Sequence, residues 1–169
     1  MRNLTLALLA AAGSGALAGP ARAGDLTVTL DLPRQSVAEY HRPYVATWIE
    51  GADGLAVQTL SVWYETSDPA EGADYLKDLR TWWRKGGRAL SLPADGVSGA
   101  TRAPGRQTIT VHGARLAGLP AGDYTLVVEA AREHGDREVV RVPFHWGAPN
   151  TASASGATEL GAVSVAISR

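Results

Sequence analysis

Apolar and polar residues alternate with a period of two, or form mixed apolar runs, in about seven short segments of the chain. Residues that favour turns separate these segments. Alternation sends successive side chains to opposite faces, which is typical of a β-strand with one buried face. The predicted strands are 26–32, 43–50, 56–64, 107–112, 124–131, 138–144 and 160–167. This pattern predicts a mainly β fold, an immunoglobulin-like β-sandwich.

Tyr124 opens one of these strands directly after the turn formed by Gly122 and Asp123. This is the position of the tyrosine corner in immunoglobulin-like sandwiches, where the phenol bonds back to the preceding backbone. The placement of Tyr124 therefore supports the sandwich.

A segment between the third and fourth predicted strands has helical periodicity instead. Asp68 is placed to cap its N-terminus, Pro69 occupies the first helical position, and Glu71 is placed to return the capping bond. The pattern ends at the pair Gly86 and Gly87. Its apolar residues recur at helical spacing: Tyr75, Leu76, Leu79, Trp82 and Trp83. One inserted helix that packs through this face is predicted.

Two segments lack either periodicity. Residues 86–105 are rich in glycine and proline, which predicts a long surface loop, and loops of this length inside a compact domain are commonly functional. Residues 150–158 are rich in alanine and serine, which predicts a flexible connector before the last strand.

The first 23 residues have the layout of a secretory signal peptide. Arg2 precedes a short apolar run, and Ala21, Arg22 and Ala23 form an A-x-A cleavage site. Residues 24–169 are then the mature protein, with the length of a single domain. No apolar stretch approaches the roughly 18 residues of a membrane span, so we expect an exported protein that does not span the membrane.

Composition removes several classes of function. The 16 basic and 17 acidic residues give a formal net charge of −1, so no nucleic-acid partner is expected. The chain contains no cysteine, which excludes disulfides and thiolate chemistry in an oxidising compartment. Redox chemistry in this protein would therefore require a bound cofactor.

The Gly-rich segment contains the sequence DGVSGAT, from Asp95 to Thr101. It resembles the flavinylation motif of FMN-binding domains in bacterial electron-transport complexes, such as the C subunit of the sodium-translocating quinone reductase. The motif positions are Asp95, Ser98, Gly99, Ala100 and Thr101. The resemblance implies that a periplasmic flavin transferase esterifies Thr101 to the phosphate of FMN.

The small residues suit such a site, since Gly99 and Ala100 remove bulk beside the hydroxyl. A second SGAT sequence, ending at Thr158, has Ala152 at the aspartate position, so we predict that Thr158 is not modified. The alternative interpretation of the motif is a Gly-rich turn in which Asp95 caps and Thr101 starts a strand.

A wider resemblance covers nearly the whole mature chain. It rests on residues 41–50 (HRPYVATWIE), the helix end at Trp82, Trp83 and Arg84, and the segments 98–105 and 122–135. These resemble an uncharacterised family of predicted periplasmic bacterial proteins. Genes of that family typically neighbour those for flavin transferases and PepSY-type membrane reductases, often in iron-uptake settings. The resemblance thus implies a role in extracytoplasmic electron flow.

Other residues are candidates for contact with a flavin. The indoles of Trp82 and Trp83 are candidates for stacking on its ring, with a core position as the alternative. Arg102 is the nearest cation to the esterified phosphate, followed by Arg84, Lys85 and Arg88, with solvated surface charge as the alternative.

The histidines are scattered and Ser98 has no histidine nearby, so the sequence predicts neither a metal site nor a hydrolase. No catalytic residue is assigned. The sequence therefore favours an electron-transfer flavoprotein over a turnover enzyme, with a membrane-bound PepSY-type reductase as electron donor and iron reduction as an expectation from the resemblance. The alternatives are a non-redox periplasmic ligand- or metal-binding sandwich and a structural domain of an envelope complex.

Overall fold

The computed structural model describes residues 24–168, and the expected signal peptide lies outside them. Nine strands form two sheets. The strands are β1 (Leu26–Leu32), β2 (Tyr44–Glu50), β3 (Ala56–Tyr64), β4 (Ser98–Ala100), β5 (Gly105–Val111), β6 (Gly122–Ala131), β7 (Arg137–Trp146), β8 (Asn150–Ser155) and β9 (Ala162–Ile167). One sheet has the order β5-β1-β9-β8 and the other β4-β3-β2-β6-β7. The predicted mainly β sandwich is confirmed.

The main core lies between the two sheets. Alternate residues of β1 are buried, with Leu26, Val28 and Leu30 fully enclosed, and the inward residues of β9 and β7 face them. Period-two alternation in the sequence thus corresponds to one buried face for each sheet. Tyr124 packs against this core, and its hydroxyl donates to the Pro120 carbonyl at 2.8 Å, which is the expected tyrosine-corner bond.

A helical segment covers the outer face of the five-stranded sheet. It consists of α1 (Pro69–Asp74), a 3-10 turn (Leu76–Asp78) and α2 (Arg80–Lys85), rather than the continuous helix that the periodicity predicts. The Asp68 carboxylate accepts hydrogen bonds from the first turn of α1, as expected of the N-cap. Leu76, Leu79 and Trp82 recur every three residues and are all buried, a spacing that a 3-10 turn aligns better than an α-helix.

A buried carboxylate attaches α2 to the sheet. Glu129 of β6 is fully buried and accepts the backbone N–H groups of Thr81 and Trp82 at 3.0 and 2.8 Å. These N–H groups belong to the first turn of α2, where backbone N–H groups have no acceptor within the helix. Arg137 neutralises the carboxylate at 2.7 Å. The sheet itself therefore caps this helix, where the sequence offers no local capping residue.

Two segments predicted to be irregular contain strands. Residues 150–158 are not a flexible connector, since β8 pairs with β9 along its whole length and turns Ala152 and Ala154 toward the core. Alanine and serine supply little apolar surface, which hid the alternation. The segment 86–105 also contains the short strand β4. Among residues 24–168, no helix is long and apolar enough to cross a membrane.

Candidate functional site

The DGVSGAT segment begins with a tight turn. The Ser98 N–H donates to the Ala94 carbonyl at 2.9 Å, and the Ser98 hydroxyl accepts the Ala94 N–H at 3.0 Å. Gly96 has a φ of +68°, a conformation that favours glycine, and its carbonyl accepts a hydrogen bond from Arg115. Asp95 is exposed in this turn. Ser98 therefore shapes the turn that leads into β4.

The short strand β4 then runs parallel to β3 at the edge of its sheet. Gly99 lies opposite Trp63, and a Cβ atom added to it would be 3.3 Å from the indole. The Arg102 guanidinium lies 5.2 Å from the centre of the same ring. Gly99 and Arg102 thus both lie against Trp63, and the guanidinium of Arg102 makes a cation–π contact with this indole.

Thr101 follows directly after β4. Its N–H donates to the Tyr64 carbonyl at 3.2 Å, which extends the pairing with β3 by one residue. Thr101 is partly exposed, and among the described residues no group hydrogen-bonds its hydroxyl. The structure therefore combines a strand-like backbone at Thr101 with an accessible hydroxyl.

A depression of about 930 Å³ lies beside Thr101, which is one of its lining residues. It is formed where the start of β2 and the ends of β3 and β4 meet the β6–β7 hairpin, with the helical segment along one side. Three tyrosines line it: Tyr40, Tyr44 and Tyr75. A volume of about 300–1,000 Å³ is the usual range of sites for cofactors and other small molecules.

The walls of the depression carry both signs of charge. Arg132 is almost fully buried and is held by Glu159 at 2.9 Å, while Arg137 is held by Glu129. Arg42 and Arg80 also line the depression, and no described carboxylate lies within salt-bridge distance of either. The carboxylates around it are Glu65, Asp68, Glu71, Asp78, Glu133 and Asp136. Two arginines therefore hold the walls together, and two present free charge.

The protonation of two lining residues is set by their surroundings. Hydrogen bonds from the Ser67 hydroxyl and backbone, with a contribution from Arg42, hold the pKa of Glu65 below its ordinary value. Burial raises the pKa of Tyr44, although a hydrogen bond from the Glu65 backbone opposes this. Near neutral pH, the depression thus presents an ionised Glu65 and a neutral Tyr44 phenol.

The predicted site residues divide into two groups. Thr101 borders the depression, whereas Asp95 lies in the turn at the opposite end of β4 and is not among the lining residues. Trp82 of α2 is buried between the helical segment and the sheet and bonds to Thr59, so it is a core residue and cannot stack on a ligand at the surface. Trp83 packs beside it and does not line the depression either.

The four basic residues proposed for the phosphate do not line the depression: Arg84, Lys85, Arg88 and Arg102. Besides Arg102 on Trp63, Lys85 pairs with Glu50 at 2.7 Å, and the side chain of Arg84 bonds to the carbonyl of Arg80. The sequence interpretation missed Tyr40, Tyr44 and Tyr75 as site residues. These tyrosines come from separate segments of the chain. Of the three, only Tyr44 lies in the stretch 41–50 on which the wider resemblance rests.

The second SGAT sequence has a different environment. It closes the turn between β8 and β9, where the Glu138 carboxylate accepts the N–H groups of Ala157, Thr158 and Leu160. Thr158 is not among the residues that line the depression. The sequence SGAT thus forms a hydrogen-bonded turn at residues 155–158, whereas at residues 98–101 it forms the edge strand β4 and the threonine that follows it.

In the described part of the chain, no cluster of three or more histidine, aspartate or glutamate side chains is arranged to hold a metal ion. The fold and this site define a β-sandwich protein that presents a threonine beside a depression lined by tyrosines and charged residues. A family model described as a predicted periplasmic protein (DUF2271) matches residues 25–162. The chain therefore belongs to the DUF2271 family and is periplasmic, as the sequence predicts. No curated protein and no solved structure matches it significantly.

Proposed function

We propose that this protein carries FMN covalently on Thr101 and relays electrons in the periplasm. The observation that carries the proposal is the position of the Thr101 hydroxyl. Thr101 ends a complete D-x-x-S-G-A-T sequence, and its accessible hydroxyl borders the depression of about 930 Å³. Sequence motif and surface shape thus point to the same residue.

In the attachment step, FAD donates its FMN moiety to Thr101. The Thr101 Oγ1 atom forms a bond to the phosphorus of the FMN moiety, the pyrophosphate linkage of FAD breaks, and AMP leaves. The hydroxyl proton passes to a base of the flavin transferase, because a threonine hydroxyl by itself is a weak nucleophile. This chain only has to present the hydroxyl, and no described group hydrogen-bonds the Thr101 hydroxyl, which agrees with that role.

Bound FMN supplies the exchange of one or two electrons. The protein supplies a covalent anchor, which keeps the cofactor from being lost by dissociation in the periplasm. The backbone bond from Thr101 to Tyr64 fixes this anchor at the end of β4. In this function the electron donor is a membrane-bound reductase of the PepSY type, and the chain is a carrier between that donor and a periplasmic acceptor such as ferric iron.

Flavin attachment is tested by co-expressing the full chain, with its export signal, and a flavin transferase. We expect a fluorescent flavin band that survives a denaturing gel and a mass increase equal to one FMN residue. Thr101→Ala abolishes both signals, whereas Thr158→Ala, the matched change in the second SGAT sequence, leaves them intact.

Two outcomes would contradict the proposal. Unmodified wild-type protein beside a transferase that modifies a known substrate excludes flavin attachment and leaves a non-redox binding module. A band that persists in Thr101→Ala places the modification on another residue.

A further inference from the structure

Tyr75 is a large aromatic residue that the fold leaves uncovered. Its exposed fraction is 43%, and it stands at the boundary between α1 and the 3-10 turn. The other large apolar side chains with comparable exposure are Val37, Leu55 and Val57, and none of them lines the depression beside Thr101. An exposed aromatic ring within a concave surface indicates a site for a planar ligand.

Tyr44 supplies a second aromatic surface in the same depression. It begins β2, is partly buried, and packs against the core beneath the helical segment. Its ring is therefore held in place by the sheet. Tyr75 belongs to the helical segment, so the two tyrosines approach the depression from different layers of the fold.

The FMN proposed on Thr101 is the planar ligand that would contact the rings of Tyr44 and Tyr75. Thr101 lines the same depression as Tyr44 and Tyr75, and the ribityl chain of FMN connects the esterified phosphate to the ring system. The two tryptophans that the sequence offers instead are unsuitable, since Trp82 is buried and Trp83 lies outside the depression.

We propose, building on covalent attachment at Thr101, that the depression binds the isoalloxazine ring and that Tyr75 and Tyr44 provide its aromatic contacts. The unpaired Arg80, which also lines the depression, is available to the carbonyl edge of the ring. The tether thus places the ring in a preformed site.

The test uses the flavinylated full-length chain and compares native with denatured samples of equal flavin content. A tyrosine in contact with the ring quenches flavin fluorescence and gives the flavin absorption bands a circular dichroism signal. We expect strong quenching in the native wild type that denaturation releases. Tyr75→Ala raises native fluorescence several-fold and weakens the dichroism, whereas Tyr75→Phe restores the dichroism because it keeps an aromatic face.

Leu55→Ala is the matched control, because Leu55 is 66% exposed and lies outside the depression. This variant retains the native quenching. Because Tyr75 is exposed, its replacement leaves the fold intact, and Tyr44→Leu serves as a second, more buried variant.

The outcomes separate the two proposals. A flavin band on the gel combined with native spectra that neither tyrosine variant changes overturns the ring site and leaves attachment at Thr101 standing. Absence of the band from the wild type overturns attachment and the ring site together.

Discussion

Gly99 shows how a single residue of the motif serves two requirements. Any side chain at this position would press on Trp63, which is buried in the main core. A glycine here therefore lets the edge strand lie close to the sheet, in addition to leaving the neighbouring Thr101 uncrowded. The packing requirement is specific to the pairing of β4 with β3 and was not evident from the sequence.

Glu129 attaches the first turn of α2 to the sheet. Its two oxygens accept the Thr81, Trp82 and Arg137 donors. Glu129→Gln removes the charge and turns an amide N–H toward one of these donors. We expect the free energy of unfolding to fall by about 3 kcal/mol, as for other broken buried pairs, measured by urea denaturation. Glu133→Gln, at an exposed position, is the control, and equal losses in both variants would contradict this role for Glu129.

At the scale of elements, the contact between α1 and β3 fixes one wall of the depression. A Cβ atom on Gly72 would lie 1.9 Å from the Glu65 carbonyl oxygen, which is backbone and cannot move aside alone. Gly72→Ala should therefore cost about 2 kcal/mol of stability despite the better helix propensity of alanine. Thermal unfolding measures the loss. Gly118→Ala, where nothing lies within 4 Å of the new atom, should unfold at the wild-type temperature, and similar behaviour of both variants would refute the close approach.

The elements predicted from sequence were those with strong local signals. The segment 56–64 coincides with β3 and the N-cap at Asp68 is confirmed, because period-two apolar runs and capping residues act over a few positions. The strand β8 was missed because alanine and serine carry little hydrophobic contrast. The strand β4 was missed because its three residues pair only with a distant strand.

The candidate site shows the same division. Thr101 was identified from a contiguous motif, whereas the depression beside it could not be predicted. Its tyrosines, Tyr40, Tyr44 and Tyr75, are brought together by the β1–β2 connection and the helical segment, whose arrangement is a property of the tertiary fold. Sequence periodicity also could not decide between Trp82 and Trp83 as ligand contacts or core, because a buried helix face and an aromatic binding surface have the same composition.

At the scale of the whole molecule, two carboxylates connect different layers. Glu50 of β2 pairs with Lys85 of α2 and with Arg141 of β7, each at 2.7 Å. Glu138 of β7 accepts three backbone N–H groups from the β8–β9 turn of the other sheet. Burial by itself would raise the pKa of both carboxyls, but these hydrogen bonds outweigh it and hold each pKa below the ordinary value near 4.5.

A carboxyl whose pKa is lower in the folded than in the unfolded protein stabilises the fold above the ordinary value, and this contribution is lost as the pH falls through the lowered pKa. We therefore expect the urea midpoint to be level near pH 7 and to fall from about pH 5 downward. Glu50→Gln and Glu138→Gln should each be less stable at pH 7 and should flatten the acid slope, because one linked proton is removed. The exposed Glu133→Gln should keep the wild-type slope. If Glu50→Gln and Glu138→Gln lose stability at pH 7 but retain the full slope, other carboxyls govern acid unfolding, and the connection between layers through Glu50 and Glu138 is only structural.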